Sequence, residues 1–317
     1  MKTLPEKAKG IAHGKIILMG EHAVVYGEPA IALPFRATPV EVTIEKIPTP
    51  NRIISSYYQG LLCEAPRSLN NLSILIKTIC NDLNQSSDHL SITITSSIPA
   101  ERGMGSSAAV ATALVRALFT YYDEQLDASH LLNYVDLSEK IAHGNPSGID
   151  ARVTSSDVPI FYQKGSVFEP FTLNIAGYLI ASDTGVQGQT RQTVKDVADQ
   201  VKRSPDQTMP IIKRLGRLTL QAKEAIEKNQ AVTLGKLMTQ AHESLRQLNV
   251  SNDLLDHLVE TALSHGALGA KLTGGGRGGC MIALTRTKKE AELVSNKLME
   301  QGAVKTWIHA LGADNEG

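Results

Sequence analysis

Two carboxylates flank one glycine- and proline-rich turn. Glu139 lies in the helical segment that ends at His143, and Asp150 follows Gly144-Asn145-Pro146-Ser147-Gly148. Gly144 can adopt the left-handed conformation that closes a helix, and Pro146 prevents the helix from continuing. Folding back at this turn brings Asp150 near Glu139. Two carboxylates held in one site either bind a metal ion or divide acid–base work between them. The alternative is a surface loop carrying two unrelated acids.

Three further segments carry chemistry. Ile98-Pro99-Ala100-Glu101-Arg102-Gly103-Met104-Gly105-Ser106-Ser107 leads from a strand through a glycine-rich turn into an alanine-rich helix. The first N–H groups of a helix have no internal partner and its dipole favours negative charge, so such a turn can cradle phosphate, with the serines as added donors or a metal ligand. It is neither a Walker loop, since no lysine follows its second glycine, nor a G-x-G-x-x-G turn, and an ordinary Gly/Ser cap is the plain alternative. Gly274, Gly275, Gly276, Gly278 and Gly279 surround Arg277 between two apolar strands. That many glycines are costly in chain entropy, which suggests backbone packed closely on a ligand or another loop; a flexible hairpin is the plain alternative. Finally, Lys15 begins the apolar run Ile16-Ile17-Leu18-Met19, which reaches the Gly20-Glu21-His22 turn and then a second short strand at Ala23-Val24-Val25-Tyr26.

The elements that must position these residues mix strands and helices. Period-two alternation predicts strands over 40–45 and 90–95, and apolar runs predict others at 15–19, 178–181, 267–272, 280–284 and 304–310. Helical patterns cover 72–83, 106–122, 129–143, 231–248, 252–265 and 288–300, and long amphipathic helices dominate from 190 to 265. The elements do not alternate as regular βαβ units, so an α+β fold is expected, with a domain boundary near residue 170 dividing 1–170 from 171–317. Lys+Arg and Asp+Glu are both 32 in 317 residues, so no overall field favours nucleic acid or an anionic membrane. Cys63, Cys80 and Cys280 lack metal-ligand spacing and fit a reducing compartment. The N-terminus lacks the apolar core of a signal peptide, and a soluble, cytoplasmic protein is expected.

Taken together, GKIILMGEHAVVYG at 14–27, GMGSSAA at 103–109, HGNPSGID at 143–150 and the last glycine cluster resemble the family of small-molecule kinases that includes galactokinase, homoserine kinase, mevalonate kinase and phosphomevalonate kinase. The resemblance runs in family order over nearly the whole chain, and its first and third strings are most similar to the members that phosphorylate mevalonate. It implies a ribosomal-protein-S5-like N-terminal domain and a ferredoxin-like C-terminal domain, with the active site in the cleft between them. By the family pattern, Ser96, Gly103, Met104, Gly105, Ser106 and Ser107 contact ATP. Ser107 and Glu139 hold Mg²⁺, Asp150 is the catalytic base, and Lys15 lies beside it. His22 contacts the substrate near its carboxylate end, and Thr190 contacts it too. The partners implied are mevalonate and ATP, with no nucleic acid and no membrane, in a homodimer. A related kinase for another small alcohol, or an inactive sensor of ATP and a metabolite, are the competing expectations. Departures from the pattern are His13 where proline is common, Glu101 and Arg102 in place of smaller residues, and Gly275-Gly276-Arg277 in place of Ala-Gly-Gly. Arg277 is expected to face solvent or an interdomain ion pair.

Overall fold

The computed structural model describes residues 4–144, 146–163 and 168–312, so Asn145 of the 144–148 turn lies outside the described residues. Two long strands, β1 (Lys7–Met19) and β2 (Ala30–Lys46), pair with each other. Contacts divide the chain into two units. The first gathers the segments up to Lys15, Thr38–Ile98 and Gly105–Asp157, and the second gathers Ile16–Ala37, Pro99–Met104 and everything from Val158 onward. β1 and β2 therefore each contribute one end to each unit. β1 is unbroken through His13, so the histidine at that position does not interrupt the strand that carries Lys15.

In the first unit, Val40–Lys46 of β2 runs antiparallel to β5 (Leu90–Ser96), with Val42 opposite Ile94. Beyond β5 lie β3 (Arg52–Ile54), parallel to it, and β4 (Gln59–Leu61), antiparallel to β3. Val40, Val42 and Ile44 are fully buried, as the period-two pattern requires of one sheet face. Four helices accompany this sheet: α1 (Asn70–Asp82), α2 (Ser106–Tyr122), α3 (Ala128–His143) and α4 (Ile149–Ser156). α2 touches the other three. Its alanines are what allow that: Ala108, Ala109, Ala111, Ala113 and Ala117 are all fully buried, so neighbouring helices approach its backbone closely. Gly10 fits the same surface, since a Cβ there would lie 2.1 Å from the Ala113 carbonyl oxygen.

In the second unit, β6 (Ile160–Tyr162) pairs with Ala30–Ala32 of β2 and carries β7 (Glu169–Pro170) on its other edge. A separate antiparallel sheet has the order β11-β8-β10-β9, formed by β8 (Gly177–Asp183), β9 (Gly269–Thr273), β10 (Cys280–Thr285) and β11 (Lys305–Leu311). The accompanying helices are α5 (Thr190–Arg203), α6 (Pro205–Glu227), α7 (Ala231–Gln247), α8 (Asp253–Ser264) and α9 (Lys288–Glu300). Thr287 and Glu290 close a reciprocal capping box at the start of α9. Antiparallel pairing with helices between strands is the α+β arrangement expected from the pattern.

One expectation is corrected. Ala23–Tyr26 is a single 3₁₀ turn, not a strand. His22 enters it at φ 60°, Gly27 leaves it at φ 91°, and the Gly27 N–H donates to the Val24 carbonyl at 3.2 Å. Two left-handed residues bracketing four force a tight turn that the β-branched Val24 and Val25 alone would not choose.

Candidate active site

In the first unit, Lys15 projects from β1 and Asp150 from the first turn of α4, with Nζ 2.9 Å from Oδ1. The lysine side chain is only 4% exposed while the aspartate is 35% exposed. The pair therefore has a dry cationic side and an accessible anionic side. Gly148 caps α4 in the left-handed conformation at φ 79°, which places Asp150 where unpaired N–H groups and the helix dipole favour a carboxylate. Thr112 and Thr154 hydroxyls meet at 3.2 Å and Thr154 also donates to the Asp150 carbonyl at 2.9 Å, so α4 is pinned to α2 through buried polar contacts. Gly105 caps α2 at φ 71°, and a Cβ there would lie 2.7 Å from Lys15 Cγ. Glycine at 105 thus serves two demands, the left-handed turn and the passage of the lysine stem.

Glu139 is 3% exposed on α3. The Ser107 hydroxyl hydrogen-bonds its side chain, and His143 Nε2 stands 3.7 Å from Oε2. Its other oxygen, Oε1, is buried with no hydrogen-bond partner among the described residues. Burial pushes the Glu139 carboxyl above its ordinary range; the Ser107 hydrogen bond opposes the rise and the nearby Asp150 charge adds to it. Asn71 and Ser138 side chains, joined at 2.9 Å, fix α3 against α1 beside it. A buried carboxylate with an unused oxygen, next to a serine hydroxyl, is a hard-oxygen site suited to a divalent cation.

The second unit brings together other predicted residues. His22 is buried, and its Nε2 lies 3.0 Å from the Gly275 carbonyl oxygen. Its Nδ1 is buried without a hydrogen-bond partner among the described residues. Burial pushes the imidazole from its ordinary 6.5 down to about 4, with Arg277 and Lys271 also disfavouring the charged form. Gly275 packs on Thr190 at the start of α5: a Cβ at 275 would come within 2.2 Å of Thr190 Oγ1. The glycine cluster also lies against the 99–104 segment, where hypothetical Cβ atoms on Gly103 and Gly274 would sit 3.2 Å and 3.1 Å from each other's Cα. Gly276 at φ 82° would place a Cβ 1.9 Å from the Val250 carbonyl oxygen, so no other residue fits. The cluster is close-packed backbone, not a flexible hairpin.

Three departures from the family pattern, Glu101, Arg102 and Arg277, find partners in the second unit. Arg102 Nε donates to Asp183 Oδ1 at 2.9 Å and its other end to the Gly185 carbonyl. Arg277 pairs with Asp196 and donates to the Asn249 carbonyl, so it sits in an ion pair within the second unit and not in the interdomain pair or the solvent position that was expected. Glu101 accepts from Gln187. These side chains brace the loops 99–104, 183–190 and 274–279 against one another. Met104 is buried with its sulfur 3.6 Å from Cys280 Sγ, so only its backbone can face a phosphate. Ser96 is exposed at the end of β5, where its hydroxyl accepts from the Ile98 N–H at 3.1 Å and shapes the turn into the loop.

Sequence reasoning missed the buried ion pair of Glu21 and Lys271, whose side chains are 1% and 0% exposed. Lys271 also donates to the Leu272 carbonyl at 2.7 Å. A lysine inside the apolar strand Gly269-Ala270-Lys271-Leu272-Thr273 was the available signal, because a buried cation needs an anion. His242 is a second buried imidazole: burial lowers it to about 4, its Nδ1 accepts from the Leu272 N–H, and Asp256 lies 3.1 Å from its Nε2. An unfolded chain would hold both histidines near 6.5 and so take up protons first as pH falls. Their stability contribution is therefore complete above about pH 6.5 and declines toward pH 4. Urea unfolding should give a lower midpoint at pH 5 than at pH 7, and His242→Asn should flatten that difference.

Comparison with known proteins places this geometry. Residues 70–162 match the model described as GHMP kinases N terminal domain, and residues 222–304 match GHMP kinases C terminal. The mevalonate kinase of Pyrococcus abyssi is 32% identical, the alignment covering 93% of this chain and 93% of that protein. The crystal structure of mevalonate kinase from methicillin-resistant Staphylococcus aureus aligns with a TM-score of 0.77 at 36% identity, covering 98% of this chain and 100% of that one. The L. major mevalonate kinase in complex with R-mevalonate aligns with a TM-score of 0.86 at 28% identity, covering 99% of each chain.

Proposed function

The chain belongs to the GHMP kinase family, and on that premise we propose that it transfers the γ-phosphoryl group of ATP to the 5-hydroxyl of (R)-mevalonate, giving 5-phosphomevalonate and ADP. The observation that carries the reading is the Lys15–Asp150 pair, with its accessible carboxylate and its buried ammonium. The mevalonate kinases that align over nearly the whole chain supply the substrate.

The chemistry is positioning and charge stabilisation. Asp150 accepts the proton of the 5-hydroxyl as that oxygen attacks the γ-phosphorus and the bond to the ADP oxygen breaks. Lys15 stabilises the charge developing on the attacking oxygen. The glycine-rich turn ending in Gly103, Met104, Gly105, Ser106 and Ser107 offers backbone N–H groups at the start of α2 to the phosphates, with Ser96 shaping its approach. Glu139 and the Ser107 hydroxyl would hold Mg²⁺. When bound, that ion neutralises charge on the transferred and leaving phosphates. His22 and Thr190 are assigned to the mevalonate.

Glu139→Gln should raise the Mg²⁺ concentration for half-maximal activity by roughly tenfold or more, since one anionic ligand is lost. An unchanged Mg²⁺ titration would remove Glu139 from the metal site. The reaction itself is tested by coupled ADP release with mevalonate, phosphomevalonate, galactose and homoserine. Turnover confined to a substrate other than mevalonate would overturn the assignment. Family resemblance further supports a cytoplasmic homodimer, which light scattering tests for its stoichiometry; among the described residues no helix is long and apolar enough to cross a membrane.

A further inference from the structure

We propose that Arg116 is a positioning residue for the transfer step, its guanidinium bridging the strand that carries Lys15 and the helix that carries Asp150. The proposal rests on the kinase reading above and lies wholly within the first unit. Arg116 is the one charged residue of α2, and it is half-buried there. Burial disfavours its charge, and Asp157 opposes that effect. A guanidinium stripped of part of its water must find acceptors, and this one finds two. Nη1 donates to the Ile11 carbonyl of β1 at 2.6 Å, and Nη2 donates to the Ser155 carbonyl of α4 at 3.0 Å. Gly10 makes room for the approach, since a Cβ there would lie 2.9 Å from Arg116 Cβ.

The need for this contact follows from the length of α4. Its 8 residues are too few for a helix to persist unaided, so contacts with neighbours must set where it lies. Lys15 fastens its first turn to β1 through Asp150. The Thr112–Thr154 contact fastens its last turn to α2. Arg116 stands four residues after Thr112, on the same face of α2, and reaches the next residue of α4. The Ser155 carbonyl is among the last four of that helix, which have no partner inside it, and a cation there complements the dipole. β1 is therefore tied to both ends of α4, by Lys15 to Asp150 at the start and through Arg116 from Ile11 to Ser155 at the finish. One tie leaves a short helix free to tilt about it, whereas two fix the direction in which Asp150 projects. His13 Nδ1 and Asp157 Oδ1 also join these elements, but at 3.6 Å they are too far apart for a hydrogen bond. The planar fork of arginine suits two carbonyls on separate elements better than a single ammonium does.

The test is a double-mutant cycle read in steady state and in single turnover. Arg116→Met should lower kcat by about 10- to 100-fold, the usual cost of a small misplacement, while KM for ATP and for mevalonate stays within about threefold. In the Asp150→Asn background the same substitution should cost less than about threefold, because the group it positions has already lost its function. No loss in the first case, or equal losses in the two backgrounds, would overturn the proposal, since a residue that only stabilises the fold lowers the active fraction alike in both. Hydrogen exchange gives a second readout that needs no substrate. The Arg152 and Asp157 amides, which donate to the Gly148 and Val153 carbonyls, should exchange about tenfold faster or more in Arg116→Met, with the amides of the paired strands β2 and β5 unchanged. Unaltered exchange in α4 counts equally against the proposal. If Arg116→Met fails to fold, Arg116→Lys replaces it in both measurements with the same outcomes expected, because it keeps the stem and the charge but lacks the fork. Absence of any mevalonate turnover by the wild type would instead sink the reaction reading, while exchange still decides whether Arg116 holds α4.

Discussion

Asp150→Asn should lower kcat by about a hundred- to ten-thousand-fold, the range general-base catalysis supplies, while ATP affinity changes little. The asymmetry follows from the first unit's geometry. Asp150 touches Lys15 at 2.9 Å and stands at the start of α4, not in the glycine-rich turn that begins α2. An asparagine keeps the volume but cannot take a proton, and it leaves the buried Lys15 ammonium without a charged partner. Lys15→Met separates the two contributions. If Asp150 works chiefly by removing the proton, the aspartate variant is the slower of the two. If the transition state is loose and the carboxylate serves mainly to hold the ammonium in place, the two variants should lose comparable activity. Near-normal turnover by Asp150→Asn would exclude it as the essential group. Single-turnover measurements keep product release from hiding the chemical step.

The site was legible to the extent that its residues lie close together in sequence. Glu139 and Asp150 flank one turn, and Ser106-Ser107 open one helix, so period, caps and glycines were enough to place Glu139 on α3 and the serines on α2, while the short α4 that carries Asp150 shows no period long enough to predict it. The helix expected over 106–122 matches α2. Strand lengths were less legible. β2 begins at Ala30, ten residues before the alternating stretch at 40–45, because Ala30-Ile31-Ala32-Leu33 is buried throughout and shows no period. Contacts made at long range left almost no trace. His22 meets Gly275 across 253 positions and Lys271 meets Glu21 across 250. In each case the sequence shows a polar residue in an apolar or glycine-rich setting, which demands a partner without naming it.

Lys271→Met should destabilise the protein by about 3–5 kcal/mol, the cost of leaving one member of a buried ion pair behind. Burial lowers the Lys271 pKa and the Glu21 carboxylate is the main influence opposing that shift, so the lysine's charge depends on the glutamate. With the ammonium gone, the Glu21 charge must either stay in a dry site without its cation or take up a proton. The double variant Glu21→Gln/Lys271→Met removes both charges and should recover most of the loss, because a buried pair contributes little beyond what apolar packing of the same volume provides. A double variant as unstable as Lys271→Met alone would show that the single loss comes from packing. The pair also has a position that concerns the site. Glu21 adjoins His22, and Lys271 stands in β9, which leads through Thr273 into the Gly274–Gly279 loop. Thr273 in turn donates to the Ile17 carbonyl at 2.9 Å. The ion pair thus joins the turn that carries His22 to the strand that delivers Gly275. Lys271→Met should therefore raise KM for mevalonate more than it lowers kcat, and Glu21→Gln/Lys271→Met should restore stability more fully than it restores KM. Equal recovery of both would mean that packing, rather than the directed contact between these two side chains, places the histidine.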